Sequence, residues 1–266
     1  TAFMAVGTKG VAFLTLLRLL TVSFGDVLVE HWTVVLGVLA LASMLLGNLV
    51  ALTQRNVKRL LAYSSVAHAG YLLAAVAAGS DLGTSALLFY FASYLVTTLG
   101  AFGIVALVAE TGPDGDEGLG MLRYAGLGKS HPTLALAMSV FMISLIGVPP
   151  TSGFVGKYFI FQSVVQRALD PSTGNPGMFW TLAVVGMLLS VVSAAYYLRV
   201  IVTMYMQEPD GDEPVVRTTP SSGLAIGLAT VGVLVLGLYP AAIYDLTRNL
   251  HSALQSMAML LAGGLG

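Results

Sequence analysis

Seven stretches of the chain, at about 1–21, 31–52, 57–78, 83–109, 133–168, 177–206 and 221–239, are long, apolar and almost free of charge. A helix needs about 20 mainly apolar residues to cross a hydrocarbon core of roughly 30 Å. Each stretch reaches that length, and each is bounded by a polar or Gly/Pro-containing joint such as "TQRN", "GSD" or "DPSTGNPG". The expected fold is all-α: a polytopic membrane helix bundle of about seven transmembrane helices. Only 9% of the residues are charged, against roughly 25% in a soluble domain. Beyond 239, apolar residues recur at Ile243, Leu246, Leu250, Leu254, Met257 and Leu261, the spacing of an amphipathic helix lying in the membrane interface.

The charges that remain are informative by position. Arg55, Lys58 and Arg59 flank one joint, Arg123 and Lys129 lie in a second, and Arg217 lies in a third. The alternate joints carry Asp26, Glu30, Asp81 and Asp170 beside Arg167 and Arg248. The positive-inside rule places the first set in the cytoplasm and the C-terminus outside. With 12 basic and 13 acidic residues, a net charge of -1 offers no surface for nucleic acid. The absence of cysteine excludes disulfides and a thiolate-held iron–sulfur cluster in this chain. The opening segment is apolar from its first residue, with no basic region or cleavage site before it. It reads as part of a longer protein rather than a signal peptide.

An ionisable side chain at mid-depth in a membrane is a functional-site hypothesis by default. Lys9 lies roughly 18 Å inside the outer end of its span, and His68 about 16 Å from the cytoplasmic end of its own. Lys157 is the third, and its segment is unusual. As one straight helix, 133–168 would run about 54 Å, far more than a bilayer requires. It also contains Gly147, Pro149, Pro150 and Gly153. Prolines lack an amide hydrogen and clash with the preceding turn, so two half-helices are expected, with carbonyls near Leu145 and Ile146 left unpartnered. Such backbone is tolerated at depth only where protein or water covers it. Thr151 or Ser152 would cap the second half-helix, placing Lys157 near its positive end. That end and burial both oppose an ammonium, and a lysine so placed is expected to release and recapture a proton. Tyr63, Ser64, Ser65, Tyr90, Tyr94, Thr97 and Thr98 are candidates to line a hydrated path, although hydroxyls also bridge packed helices. "GLGKS" at 126–130 lacks the first glycine and the preceding strand of a phosphate loop.

Together, "NVKRLLAYSSVAHAGYLL" (56–73) and "GVPPTSGFVGKYFIF" (147–161) resemble the antiporter-like membrane subunits of proton-pumping NADH:quinone oxidoreductase, respiratory complex I. The lysine after "GFVG" looks like the N branch of that family (subunit 2 in mitochondria); the M branch typically has glutamate there. The resemblance implies two five-helix repeats of inverted topology, each with one broken helix. On that pattern 1–22 is the last helix of a first repeat missing here, and 31–207 is the complete second repeat, with 133–168 its broken helix. The stretch 220–266 is then a terminal transmembrane helix plus the interfacial helix.

By the same resemblance, Lys9 links two half-channels, His68 is a relay on the central axis and Lys157 is the terminal lysine. The implied role is proton translocation without redox chemistry in this chain, coupled to quinone reduction elsewhere. NADH, flavin, iron–sulfur clusters and quinone would reside in the other membrane and peripheral subunits, within an energy-transducing membrane such as the bacterial plasma membrane. The rival implied by the same motifs is a subunit of a multisubunit sodium/proton antiporter.

Overall fold

A computed structural model describes residues 2–20, 29–110, 120–209 and 216–241. The interfacial helix expected beyond 239 falls almost wholly outside them. The described chain runs α1 (Ala2–Arg18), α2 (Val29–Thr53), α3 (Val57–Ala77), α4 (Asp81–Glu110), a 3-10 turn (Met121–Tyr124), α5 (Leu127–Ser130), α6 (Pro132–Ile146), α7 (Ser152–Leu169), α8 (Pro176–Met206) and α9 (Pro220–Leu238). Among the described residues, α2, α3, α4, α8 and α9 are long and apolar enough to cross a membrane, and α6 is a shorter apolar helix. The long 133–168 segment is therefore two helices, α6 and α7, separated by 147–151.

Local sequence sets these boundaries. Asn56 caps α3, its side chain accepting from the Arg59 amide at 3.1 Å. Prolines open α6, α8 and α9, where a missing amide hydrogen is harmless. Thr219 and Ser222 form a reciprocal capping box on α9.

Small residues let the helices approach. A Cβ at Gly47 would lie 2.9 Å from the Ala67 Cα, and one at Gly70 would lie 2.7 Å from the Ala40 carbonyl, so α2 and α3 pack backbone against backbone. Helix α4 is the central strut, touching α1, α3, α6, α7 and α9. Two apolar cores result. One gathers Leu60, Tyr94, Phe141, Met142 and Val200. The other gathers Met44, Tyr71, Leu72, Tyr90, Ile160 and Phe179. The buried ionisable residues lie where these cores meet.

Candidate functional site

The break is built from glycines, prolines and a set of buried hydroxyls. Gly147 ends α6 with φ +88°, a left-handed conformation that favours glycine, and its amide bonds the Ile143 carbonyl at 3.0 Å. A cis Pro149–Pro150 peptide follows, and Val148, Pro149 and Pro150 are exposed on the outer surface of the chain. Thr151 is the N-cap of α7 by backbone conformation, yet its hydroxyl donates back to the Val148 carbonyl at 2.6 Å and caps nothing. The capping oxygen comes from the other half-helix: the Ser144 hydroxyl accepts from the Gly153 amide at 3.3 Å. Helix α4 clasps both halves, with Thr97 3.2 Å from the Ser144 hydroxyl and Ser93 donating to Ser152 at 2.7 Å. Gly153 has no room for a Cβ against the Ser144 backbone. Gly237 of α9 is pressed likewise against the Pro150 carbonyl and Thr151, on the buried side of the break.

Lys157 is 5% exposed. Its Nζ donates to the carbonyls of Leu145 at 2.9 Å and Ile146 at 2.8 Å and to the Ser190 hydroxyl at 2.8 Å, and it sits 4.9 Å from the centroid of the Tyr71 ring. The orphan carbonyls expected at the end of α6 therefore have a partner, the lysine itself. This corrects the electrostatic reading of the sequence. The nearest helix end along the chain is the positive N-terminus of α7. Side chains on a helix lean toward its N-terminus, however, and four methylenes carry the amine past that end to the last carbonyls of α6. There the dipole is negative and favours an ammonium.

His68, 3% exposed, is held at both ring nitrogens. Nδ1 lies 2.5 Å from the Tyr90 hydroxyl and Nε2 3.0 Å from that of Tyr197. The rings of Tyr71, Tyr90 and Tyr94 surround the imidazole at centroid distances of 5.9, 6.0 and 5.0 Å. Lys9 completes the line from α1: its Nζ donates to the Ser65 carbonyl and lies 5.5 Å from the Tyr94 ring centroid. Lys9 and His68 thus flank Tyr94, and His68 and Lys157 flank Tyr71.

Of the candidate path residues, Ser64, Ser65, Tyr90, Tyr94, Thr97 and Thr98 are buried, and Tyr90 and Tyr94 border the line directly. Ser64 turns its hydroxyl to the Leu61 carbonyl at 2.8 Å. Tyr63 is the exception. It is 40% exposed, whereas Ser64, Ser65 and His68 of the same helix face inward, so it stands apart from the buried line.

Ser190 and Tyr197, which the sequence reading passed over, hold the lysine and the histidine respectively. Their signal in the sequence is weak: Ser190, Ser193 and Tyr197 are spaced to share one face, but the same helix also carries Thr181, Tyr196, Arg199, Thr203 and Tyr205. Asn48 is a further buried anchor, accepting from Tyr196 at 3.0 Å and donating to the Met44 carbonyl at 2.7 Å.

A helical membrane bundle with a buried lysine at a discontinuous helix, continued by polar side chains on four other helices, defines an antiporter-like membrane protein. The chain belongs to the NADH:quinone oxidoreductase/Mrp antiporter transmembrane family, whose profile matches residues 1–190. It is 44% identical over 250 residues to the NADH-quinone oxidoreductase subunit N of Trichlorobacter lovleyi, covering 94% of this chain and 48% of that protein. It is 45% identical over 251 residues to NADH-quinone oxidoreductase subunit N 1 of Herpetosiphon aurantiacus, with 94% and 48% covered. The chain thus spans about half the length of the curated relatives it matches.

Among solved structures, a chain of respiratory complex I from Thermus thermophilus with bound aureothin aligns at 34% identity with a TM-score of 0.66, covering 79% of this chain and 44% of that one. A chain of the Mrp complex from Dietzia sp. superposes over 97% of this chain and 53% of its own length with a TM-score of 0.79. At 21% identity, that likeness shows the shared fold alone.

Proposed function

We propose that this chain forms the second half-channel of a proton-translocating, N-type membrane subunit of NADH:quinone oxidoreductase, with 31–207 as one antiporter-like repeat. Lys9, His68 and Lys157 relay protons, and quinone reduction in partner subunits drives them. The observation that carries the reading is the setting of Lys157. An ammonium has three donors, and three oxygens receive them: the carbonyls of Leu145 and Ile146 and the hydroxyl of Ser190. All three are uncharged, so the site stabilises the cation by dipoles without an ion pair that would lock it in that state. The neutral amine keeps two donors and presents a lone pair to an incoming proton.

Coupling follows from charge. Lys157 and Lys9 lie on either side of His68, so a positive charge on one disfavours a positive charge on the next. A change of charge at one end of the line moves protons along it. The chain itself supplies low dielectric, oriented backbone and polar links; electron transfer, with NADH, flavin, iron–sulfur clusters and quinone, belongs to partner subunits. The surrounding membrane is the bacterial plasma membrane, with the arginine- and lysine-bearing joints in the cytoplasm and the C-terminus outside.

The rival, a subunit of a multisubunit sodium/proton antiporter, shares the fold. The lysine after "GFVG" and the relatives named subunit N at 44–45% identity favour the oxidoreductase. The test is Lys157→Ala in the full-length protein within the whole complex reconstituted in vesicles. Quinone-dependent proton uptake is expected to be lost while the complex still assembles; uptake at the parent level in an assembled complex refutes the relay. Co-purification of peripheral-arm and quinone-site proteins after mild detergent extraction separates the oxidoreductase from the antiporter.

A further inference from the structure

We propose that Tyr90 and Tyr197 carry protons to and from His68, so that the three side chains act as one proton wire between the α4 and α8 sides of the buried line. The inference rests on the relay reading above and adds to it two phenols, one of them on a helix from which sequence reasoning took no site residue.

The geometry is specific. A neutral imidazole has one ring nitrogen that donates and one that accepts, whereas a phenol does either. With Tyr90 at 2.5 Å and Tyr197 at 3.0 Å on opposite nitrogens, both tautomers of His68 are fully hydrogen-bonded. In one, Tyr90 donates to Nδ1 and the Nε2 hydrogen goes to the Tyr197 oxygen. In the other, Tyr197 donates to Nε2 and the Nδ1 hydrogen goes to Tyr90. A proton crosses when the Tyr90 O–H hydrogen passes to Nδ1 as the Tyr90 oxygen takes a new proton from its far side. The Nε2 hydrogen then passes to the Tyr197 oxygen, which releases its own proton onward. One proton enters and one leaves, and no side chain keeps a net charge. The next crossing in the same direction requires the ring to swing off the two phenols and return in its first tautomer, with the hydroxyls turned back, which makes the imidazole the natural control point.

The ends of the wire lie near the other relay groups. Tyr197 interacts with Ser64 on α3, and it lies two turns along α8 from Ser190, the hydroxyl partner of Lys157. Tyr90 packs against Gly156, next to Lys157, where a Cβ would come within 2.6 Å of its ring. The charged and titratable groups facing His68 are Lys9 from α1, Tyr71 from α3, Tyr90 and Tyr94 from α4, Lys157 from α7 and Tyr197 from α8.

The test uses the complete complex in vesicles, with Tyr197→Phe and, separately, 3,5-difluorotyrosine at position 197. Loss of the hydroxyl is expected to slow proton uptake about 100-fold, the low end of what a positioned proton-transfer group contributes. The fluorinated ring keeps the shape and the hydroxyl but has a more acidic phenol, and is expected to restore uptake with a displaced pH profile. A hydroxyl that only packs would restore uptake with the parent profile, and that result overturns the wire. Should Tyr197→Phe fail to assemble, the fluorinated protein alone decides by the same criterion. If Tyr197→Phe pumps at the parent rate while Lys157→Ala does not, the wire is wrong and the relay stands. If Lys157→Ala also pumps, both readings fall.

Discussion

Replacing Ser144 with alanine removes one oxygen, and the structure fixes what that oxygen does. It accepts the Gly153 amide hydrogen at 3.3 Å and lies 3.2 Å from the Thr97 hydroxyl. Thr97 keeps its bond to the Ser93 carbonyl at 2.8 Å, so it is not orphaned. Gly153 has no such reserve, because it sits in the first turn of α7, where no intrahelical carbonyl is available to its amide. Leaving a buried amide unpaired costs about 1–3 kcal/mol, and loss of an N-cap oxygen alone costs about 1 kcal/mol. If that cost falls on the break and not on the whole bundle, hydrogen exchange at the start of α7 should accelerate roughly 5- to 150-fold. Amides in the middle of α3 and α8 should exchange as before. The measurement is hydrogen exchange by mass spectrometry on peptides covering 144–160. Unchanged exchange there, or an equal acceleration across all helices, refutes the idea that one half-helix caps the other.

Other consequences follow from single contacts. Gly47→Val forces a side chain into the Ala67 backbone and is expected to lower stability by about 1–3 kcal/mol, read as a lower midpoint in thermal unfolding of the detergent-solubilised protein. Gly237→Val pushes α9 away from Pro150 and Thr151; because the chain has no cysteine, a Thr151→Cys reporter should react faster with a small thiol reagent in that background. Asp170, half-exposed just after α7, is held below the usual carboxylate range chiefly by the Ser172 amide and then its hydroxyl, with Arg167 assisting. A carboxylate depressed in the folded state contributes stability above its unfolded value and loses it as pH falls through the folded one. Exchange protection of the Ser172 amide should therefore disappear on acidification, and Asp170→Asn should abolish that pH dependence.

The break was legible because its causes are local. Two adjacent prolines remove two amide donors, a glycine supplies the left-handed turn, and an apolar segment too long for the bilayer must fold back or divide. The lysines and histidine were legible because an ionisable side chain inside a long apolar helix is rare and costly. What the sequence did not convey was partnership across helices. Thr151 and Ser152 stand in the right place to cap α7, yet the working cap is Ser144, nine residues earlier, and only the fold brings it near. Ser190 and Tyr197 belong to a helix with no charged residue between 176 and 198, and hydroxyls in such helices bridge neighbours often enough that spacing alone assigns no role. Tyr63 shows the converse error. It lies within the 56–73 motif next to the buried Ser64 and Ser65, but on a helix a shift of one position turns a side chain by about 100°, and this one faces out.

The placing of Lys157 against the C-terminal carbonyls of α6 bears on how a proton could leave it. Were the amine to face the positive end of α7, ionisation would be opposed from both sides and the neutral form would need no help. The carbonyls of Leu145 and Ile146 instead stabilise the cation, so deprotonation must leave some oxygen short of a donor. Ser190 lessens that penalty: besides accepting from Lys157 at 2.8 Å, its hydroxyl donates to the Ile146 carbonyl at 3.2 Å. When the amine gives up a hydrogen, Ile146 keeps a partner and Leu145 keeps the amine, and the oxygen that loses a bond belongs to a hydroxyl free to rotate rather than to fixed backbone. A relay site would have to tolerate both protonation states, and two carbonyls and one rotatable hydroxyl, with no carboxylate in contact with the amine among the described residues, leave fewer bonds to break on deprotonation than an ion pair would.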